Sequence, residues 1–272
     1  MSEGAAQKPL DLAPLLALAT GLAQEASALL LDQLGHTRSS ITTKSSATDM
    51  VTEMDRAAEK LIADGIRDAR PDDGIVGEEG TDDQGTSGVR WFIDPIDGTT
   101  NYLYGLSGFG VSIAAEVNGE GAVGVVSDPL RGDLYSATRG AGATLNGSRI
   151  RVSAQADLST ALVGTGFSYD RFRRARQAEV LTAVLPEVRD IRRFGAASLD
   201  LCLVAAGRLD AYYERGLSPW DYAAGVLIAS EAGARLGDLD GGPPSTAFTL
   251  ASAVGIFDPL RDLLDRAGAR DA

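Results

Sequence analysis

The stretch Trp91–Asn101 does more than any other part of the sequence to restrict what this chain can fold into. It begins with three consecutive apolar residues, which predict a buried strand, and continues into a turn that contains Asp94, Pro95 and Asp97. Pro95 fixes its own φ and favours an extended conformation at Asp94. The stretch therefore predicts a strand that ends in a turn carrying two carboxylates.

The residues that follow this turn, Gly98, Thr99 and Thr100, predict the N-terminus of a short helix. Backbone N–H groups at such an end are unpaired, and together with the helix dipole they bind phosphate. Carboxylate oxygens are the ligands that hard divalent cations prefer. The turn thus combines the two requirements of metal-assisted phosphate hydrolysis, although a solvated turn capped by aspartates is an alternative interpretation.

The whole run from the apolar strand through Thr100 closely resembles the metal-binding signature of the inositol monophosphatase family. Other segments resemble further motifs of that family in the same chain order, and they are Lys44–Asp55, Ile75–Glu79, Gly195–Ala197, Ala211–Glu214 and Trp220–Asp221. The resemblance extends from about Leu12 to Leu264, which is nearly the entire chain. It implies a layered αβαβα sandwich of the sugar-phosphatase type, within the α/β (α+β) class.

The resemblance also implies a magnesium site of two or three ions, for which Mn²⁺ can substitute. The implied ligands are the carboxylates and one backbone carbonyl of Glu78, Asp94, Ile96, Asp97 and Asp221. All of them supply oxygen, as Mg²⁺ requires. Asp94 and Asp97 would bridge or flank two ions roughly 3.5–4 Å apart.

Roles in catalysis and substrate binding are implied for a second set of residues. Thr99, hydrogen-bonded to Asp55, would orient the attacking water, and Glu78 would help to hold it. The backbone N–H groups of Gly98 and Thr99 would bind the phosphate. The alcohol portion of the substrate would meet a wall formed by Asp97, Gly195, Ala196, Ala197, Glu214 and Asp221.

Several of these residues also have structural interpretations that the sequence leaves open. Asp55 is placed where a first-turn acid would complement a helix dipole. The small residues Gly195–Ala197 suit close packing of a helix on a sheet. Asp221 lies in the first turn of a predicted helix behind Pro219, where it could serve as a cap.

The implied activity is Mg²⁺-dependent hydrolysis of myo-inositol 1-phosphate. Other members of the family act on histidinol phosphate, fructose 1,6-bisphosphate or 3′-phosphoadenosine 5′-phosphate, and these substrates remain alternatives. A protein of a different class, which uses the same fold for regulatory binding, is a further alternative. The family also implies a homodimer.

Composition excludes several other kinds of protein. The net charge of −13 and the absence of an obvious basic patch argue against a nucleic-acid-binding surface. One histidine, His36, and one cysteine, Cys202, exclude a multi-histidine zinc site and an internal disulfide. Gly119–Gly124 has the spacing of a dinucleotide fingerprint but lies in a predicted hairpin, which is the wrong context.

The pattern of apolar residues predicts how the chain is organised. Residues 1–9 are expected to be a flexible tail, residues 10–153 an N-terminal half with the metal-binding loops, and residues 154–272 a C-terminal half that completes the substrate pocket. We expect one compact unit, and the cytoplasm as its location, because no signal peptide or membrane span is evident.

Apolar periodicity and turn residues also predict individual elements. The first half should contain a helix over residues 11–34, a helix that starts at Thr48 or Asp49 and ends near Ala69, an antiparallel meander, and a hairpin at Asn146-Gly147 that leads into a strand at Ile150–Val152. The second half should alternate strands and helices, with a loop from Gly237 to Pro244.

Overall fold

The computed structural model describes residues 11–34, 42–43, 50–51 and 53–272. Lys44 and Asp49 of the family motif, and the predicted tail over residues 1–9, lie outside these ranges. The helices in the described part of the chain are α1 (Ala13–Gln33), α2 (Glu53–Ala69), α3 (Thr99–Tyr104), α4 (Arg171–Val184), α5 (Ala197–Ala205), α6 (Pro219–Glu231) and α7 (Phe257–Arg266).

The strands form two large sheets and one small ribbon. The strands are β1 (Thr42–Thr43), β2 (Met50–Val51), β3 (Gly74–Gly77), β4 (Asp82–Asp83), β5 (Val89–Asp97), β6 (Gly110–Val117), β7 (Glu120–Asp128), β8 (Asp133–Thr138), β9 (Gly142–Leu145), β10 (Ser148–Arg149), β11 (Leu162–Thr165), β12 (Asp190–Arg192), β13 (Ala211–Glu214), β14 (Arg235–Gly237) and β15 (Thr249–Ser252).

The first large sheet has eight strands in the order β10-β9-β8-β7-β6-β5-β3-β4. Apart from the parallel pair β3–β5, its neighbours are antiparallel. The hairpins close through Asn-Gly pairs with positive φ at both residues, 55° and 80° at Asn118-Gly119 and 48° and 76° at Asn146-Gly147. Such turns match the twist of the strands they join, so the predicted meander is confirmed.

The second sheet has five strands in the order β12-β11-β13-β15-β14. Strand β11 is parallel to both of its neighbours, whereas β15 is antiparallel to β13 and β14. Helices connect the parallel strands, as crossover connections require. The sheet therefore has the helix-alternating order that the second half of the sequence predicts.

The helices and sheets stack in five layers. Helices α1 and α2 share an apolar cluster with β5, β6 and β7 on one face of the first sheet. Helices α5 and α6 fill the space between the sheets, with one cluster facing each sheet. Helices α4 and α7 cover the outer face of the second sheet. This arrangement confirms the predicted αβαβα sandwich.

By length and composition alone, helix α1 could cross a membrane. Among the residues described, it is the one helix that meets both conditions. In the structure, however, it belongs to the protein core. Leu15, Leu22 and Leu30 are buried in the cluster that covers the first sheet. Its apolar character is therefore accounted for by packing against β6 and β7.

Two predictions of local structure are wrong, and one strand was not predicted. Helix α2 begins at Glu53 because Met50–Val51 is instead a strand paired with Thr42–Thr43. The strand after Asn146-Gly147 is Ser148–Arg149. One further bond joins Ile150 N to the Ala143 carbonyl of β9, and the chain then leaves the sheet, because Val152 N donates to Ala232 after α6. Strand β14, at Arg235–Gly237, is too short for its alternation to be recognised in the sequence.

The close approach of α6 to the first sheet depends on Gly124 in β7. A Cβ atom at this position would lie 2.8 Å from the backbone oxygen of Ala224. We expect Gly124→Ala to lower the free energy of unfolding by roughly 1–3 kcal/mol, because backbone cannot yield to the added methyl group without moving the helix. Urea denaturation followed by circular dichroism measures this change.

Gly121→Ala in the same strand is the matched control. Its Cβ would meet only Leu227 at 3.8 Å, an ordinary contact. We expect this variant to be neutral or slightly stabilising, because alanine restricts the unfolded chain more than glycine does. An equal loss of stability in both variants would contradict the role given to Gly124.

Candidate active site

A cleft of about 330 Å³ opens where the end of β5 meets the beginnings of α5 and α6. It brings together segments that are more than 100 residues apart in the sequence. The predicted site residues that line it are Glu78, Asp94, Ile96, Asp97, Gly98, Thr99, Gly195, Ala196, Ala197, Glu214 and Asp221. Of the predicted set, only Asp55 is missing from this lining.

The sequence predicts a turn that contains Asp94, Pro95 and Asp97, but β5 continues through Asp97, because it stays paired with β6 across an irregularity in register between Asp94 and Asp97. The predicted start of a helix after Asp97 is confirmed. Helix α3 starts directly after Gly98, whose φ is +89°. A Cβ atom on Gly98 would lie 2.7 Å from the Gly108 oxygen and 3.2 Å from the Gly195 oxygen. Glycine is required here both for its backbone conformation and for this close approach. The backbone N–H groups at the start of α3 therefore lie at the cleft.

Hydrogen bonds to backbone N–H groups hold three of the carboxylates in place. Asp94 Oδ1 accepts from Ile96 N at 3.0 Å, and Asp97 Oδ2 accepts from Ser198 N at 2.7 Å. The second bond ties the end of β5 to the first turn of α5. Asp221 Oδ2 accepts from Ser218 N at 2.6 Å and forms a capping box at the start of α6. Asp221 is thus both a helix cap and part of the cleft wall.

Burial and mutual repulsion raise the pKa values of these acids. Asp94 is only 1% exposed, and burial followed by the charge of Glu78 raises its pKa well above the usual range. Burial raises the pKa of Asp97 to about 6, although bonds to Ser198 oppose the rise. Burial and the charge of Asp97 raise the pKa of Asp221 well above its usual range. The cleft resists the accumulation of so much negative charge.

Glu78 behaves like the buried acids even though part of the residue is exposed. Its carboxyl end faces other acids, and desolvation of that end together with the charge of Asp55 raises its pKa to about 7. The next residue, Glu79, lies 3.9 Å from Arg56 and does not line the cleft. The expectation that only one of these two neighbouring acids reaches the site agrees with this geometry.

The chemistry of these donors fits a hard divalent cation. Four carboxyl groups and the carbonyl of Ile96 present only oxygen to the cleft, and cations would relieve their mutual repulsion. Among the residues described, no group of three or more His, Cys, Asp or Glu side chains is already arranged to hold a metal ion. The acids line the walls of the cleft and do not form a finished coordination cage.

The hydrogen bond of the Thr99 hydroxyl differs from the one to Asp55 that the family resemblance implies. Asp55 is 2% exposed, and its charge contributes to the raised pKa values of Glu78 and Tyr102. The Thr99 hydroxyl donates to the carbonyl of Ile96 at 3.0 Å. A hydroxyl has one proton, so Thr99 cannot donate to Asp55 at the same time. The Thr99–Asp55 hydrogen bond stays a prediction.

Glu214 projects from the end of β13 into the opposite wall of the cleft. The Tyr212 hydroxyl donates to its carboxylate, and burial raises the pKa of Glu214 to about 7. Space for the carboxylate comes from Gly166, where a Cβ atom would lie 1.8 Å from Glu214 Oε2. Sequence reasoning did not identify Gly166, because its role depends on a contact with a distant strand.

Three further residues of the cleft were not identified from the sequence either: Tyr169, Arg193 and Asp200. Oδ1 of Asp200 is buried without a hydrogen-bond partner, and burial raises its pKa well above the usual range. Asp200 was hidden in the apolar sequence of α5. The basic pair Arg192-Arg193, directly before the glycine-containing wall, was a signal that could have pointed to the site.

Comparison with known proteins agrees with this geometry. The sequence profile described as "Inositol monophosphatase family" matches residues 11–269. The chain belongs to the inositol monophosphatase family. This membership confirms the resemblance drawn from the motifs.

Named relatives include both phosphatases and Nus factors. A family member from Mycobacterium leprae, named inositol-1-monophosphatase, is 46% identical over 234 residues, which are 82% of this chain and 80% of the relative. A relative from Vibrio cholerae, named Nus factor SuhB, is 42% identical over 231 residues, 84% of this chain and 86% of the relative.

Solved structures superimpose closely on this one. The extragenic suppressor protein suhB from Bartonella henselae has a TM-score of 0.88 and 36% identity, with 93% of this chain and 99% of that chain covered. A structure described as inositol monophosphate-bound SaIMPase-II has a TM-score of 0.75 and 26% identity, covering 95% and 100%. The fold prediction is therefore confirmed by comparison as well as by topology.

The raised pKa values predict how pH affects the stability of the metal-free protein. The folded state keeps the Asp94 proton at pH values where the unfolded chain, with a pKa near 3.8, has lost it. This contribution to stability is complete below about pH 4 and is lost as the pH rises towards the folded pKa. In EDTA, we expect Asp94→Asn to be more stable than the wild type by about 1 kcal/mol or more at pH 8.

Thermal melts of both proteins from pH 4 to pH 8 measure this difference. The advantage of Asp94→Asn should be small at pH 4 and grow with pH. Saturating Mg²⁺ should reverse it at pH 8, because the cation stabilises only the ionised site. A difference that did not change with pH would show that Asp94 does not titrate in the folded protein as described.

Proposed function

We propose that this protein is a Mg²⁺-dependent phosphomonoesterase that hydrolyses myo-inositol 1-phosphate to myo-inositol and phosphate. The observation that carries the proposal is the gathering of Asp94, Asp97 and Asp221 at the start of α3, in one cleft. The carboxylates attract metal cations, and the N–H groups at the helix N-terminus attract the phosphate anion. Family membership and relatives named inositol-1-monophosphatase support the same activity.

The residues that would hold the ions are those implied by the family resemblance: Glu78, Asp94, Ile96 through its carbonyl, Asp97 and Asp221. Mg²⁺ is favoured because these are oxygen donors, and Mn²⁺ should substitute for it. Bound there, two or three ions would supply positive charge to the phosphate and acidity to a water molecule. The Ile96 carbonyl accepts the Thr99 hydroxyl through one lone pair, and its second lone pair remains available to a cation.

The rest of the mechanism depends on the chain's own groups. Backbone N–H groups of Gly98 and Thr99 would bind the phosphate oxygens at the start of α3. Thr99, supported by Asp55, and Glu78 would orient the attacking water in line with the leaving oxygen. Neither His36 nor the buried Cys202 is needed as a nucleophile, since water attacks phosphorus directly.

The opposite wall of the cleft would recognise the alcohol. The acids Asp97, Glu214 and Asp221 can accept hydrogen bonds from sugar hydroxyls, which neutral apolar walls cannot do. The wall residues Gly195, Ala196 and Ala197 have small side chains or none, so they leave room for a polyol ring. These contacts favour a substrate rich in hydroxyl groups.

Two isosteric substitutions test the metal site. Asp94→Asn and Glu78→Gln should each reduce Mg²⁺-dependent phosphate release by about a thousandfold, because each removes charge that holds the ions. Malachite-green assays with and without Mg²⁺ measure the release, and circular dichroism checks the fold. Glu79→Gln, the neighbouring acid outside the cleft, is the matched control and should keep activity within about twofold. Normal turnover by Asp94→Asn would refute the assignment.

A substrate panel tests the choice of substrate. We expect the highest kcat/KM for myo-inositol 1-phosphate, ahead of histidinol phosphate, fructose 1,6-bisphosphate and 3′-phosphoadenosine 5′-phosphate. Glu214→Gln should lower kcat/KM for the inositol phosphate by about tenfold, because a hydroxyl loses a charged acceptor. Phenyl phosphate, which lacks hydroxyls, should be hardly affected. A tenfold preference for histidinol phosphate would overturn the choice.

A regulatory binding protein is a second candidate, favoured by the relatives that are named Nus factor SuhB. A chain that had given up catalysis would be expected to lose some of its ligands, yet all of the expected ones are present here. The net charge of −13 also disfavours direct contact with nucleic acid. Purified protein that releases phosphate from inositol phosphate without a co-purifying partner would favour the enzyme.

We also propose that the protein is a cytoplasmic homodimer. Apolar side chains are exposed beside the cleft at Tyr104, Leu106 and Phe194. Their segments are joined, because Asn101 Nδ2 donates to the Phe194 carbonyl. Exposed apolar groups in one region are typical of a surface that a second subunit covers. Sedimentation velocity should give about twice the chain mass of 28.3 kDa, and a monomer at micromolar concentration would exclude the dimer.

A further inference from the structure

Among the described residues that line the cleft, Arg193 is the one cationic side chain. The acids on the same lining are Glu78, Asp94, Asp97, Asp200, Glu214 and Asp221. Within the described residues, the Arg193 guanidinium has neither a hydrogen bond nor an ion pair, and the residue is exposed at the mouth of the cleft. Its neighbour Arg192 differs, because it pairs with Asp190 at 2.6 Å outside the cleft.

The position of the guanidinium is set by Gly195, which has a φ of +100°. A Cβ atom on Gly195 would lie 2.3 Å from Arg193 Nη1, so the guanidinium lies directly over the glycine. Gly195 in turn contacts the start of α3, because its oxygen lies 3.2 Å from the Cβ position of Gly98. Arg193 therefore lies on the same side of the cleft as the N–H groups proposed to bind phosphate.

The segment that carries Arg193 is fastened to α3. Asn101 Nδ2 donates to the carbonyls of Gly108 at 2.6 Å and Phe194 at 2.7 Å. These bonds fix the backbone at Gly108 and at Phe194, close to where Gly98 and Gly195 meet. Arg193 thus extends from a supported backbone, and no described residue holds its guanidinium by a hydrogen bond or ion pair.

The charge of Arg193 reaches both walls of the cleft. It partly offsets the rise in pKa that burial produces in Asp97 and in Glu214. Asp97 is shared by the proposed metal site and the alcohol wall, whereas Glu214 belongs to the alcohol wall alone. The guanidinium lines the same cleft as both acids.

We propose that Arg193 binds the phosphate group of the substrate, so that it is a specificity-determining residue for phosphomonoesters. This inference rests on the proposed function. A planar guanidinium presents a fork of N–H donors that matches two phosphate oxygens, whereas hydroxyl groups are matched by the carboxylates nearby. Arg193 would also offset the negative charge that an incoming phosphate meets at an acidic entrance.

The test compares Arg193→Met and Arg193→Lys with Arg192→Met as the matched control. The probe is inorganic phosphate, titrated by calorimetry into the Mg²⁺-loaded protein. We expect the Kd for phosphate to rise roughly fivefold in Arg193→Met, since an exposed charge contributes modestly. The rise should be smaller in Arg193→Lys, which keeps the charge but loses the fork. Arg192→Met should bind phosphate as the wild type does.

Kinetics with two substrates separate phosphate binding from an indirect effect on Glu214. KM should rise by the same factor for myo-inositol 1-phosphate and for phenyl phosphate, with kcat changed less than KM. A phosphate Kd in Arg193→Met equal to that of the wild type would overturn the proposal. A KM increase confined to the inositol phosphate would overturn it as well, because Arg193 would then act on hydroxyl recognition.

Failure of the proposed function gives a different result. A wild type that binds phosphate but hydrolyses neither substrate would refute the phosphatase assignment, while the Kd values would still decide the role of Arg193. A wild type that hydrolyses both substrates, with a phosphate Kd unaffected by Arg193→Met, would refute the role of Arg193 alone.

Discussion

Repulsion between buried carboxyl groups is the constraint on which the rest of this structure depends. Asp94 and Asp97 are nearly removed from solvent, and Glu78 and Asp221 face the same space. Burying several negative charges together lowers the stability of the folded state, and side-chain packing alone does not offset this cost. The fold compensates in part, because backbone N–H groups at the starts of α5 and α6 donate to Asp97 and Asp221. The carboxylate oxygens that accept no such bond are suited to bind cations. The same feature that weakens the metal-free protein makes the cleft a candidate for metal-assisted chemistry.

The layered architecture explains how such a site is kept in shape. Helices α5 and α6 are buried on both faces, because each sheet covers one side of the pair. Their first turns therefore have fixed positions relative to β5, and Ser198 and Ser218 present N–H groups to Asp97 and Asp221. Glycine at position 124 permits α6 to approach β7. Packing far from the cleft thus determines the geometry inside it.

Much of this could be predicted from the sequence, and the failures have physical causes. In the run from Trp91 to Asn101, local rules were sufficient for the strand and the helix start. They wrongly ended the strand at a turn, because pairing with β6 extends β5 through Asp97. Local rules were also sufficient for the Asn-Gly hairpins. Gly166 was not identified, because its role depends on Glu214, which is distant in sequence. Arg193 was not identified, because only the folded chain shows that it lines the cleft. The start of α2 was misplaced because tertiary pairing of Met50–Val51 outweighs local helix preference.

The hydrogen bond from Ser198 to Asp97 joins residues 101 positions apart. Closing a loop of this length costs conformational entropy, which the contact must offset. During synthesis, a ribosome-bound chain that has emerged only as far as β10 carries the acids of β5 without the N–H groups of Ser198 and Ser218. The cleft can therefore be completed only after α5 and the start of α6 have been synthesised.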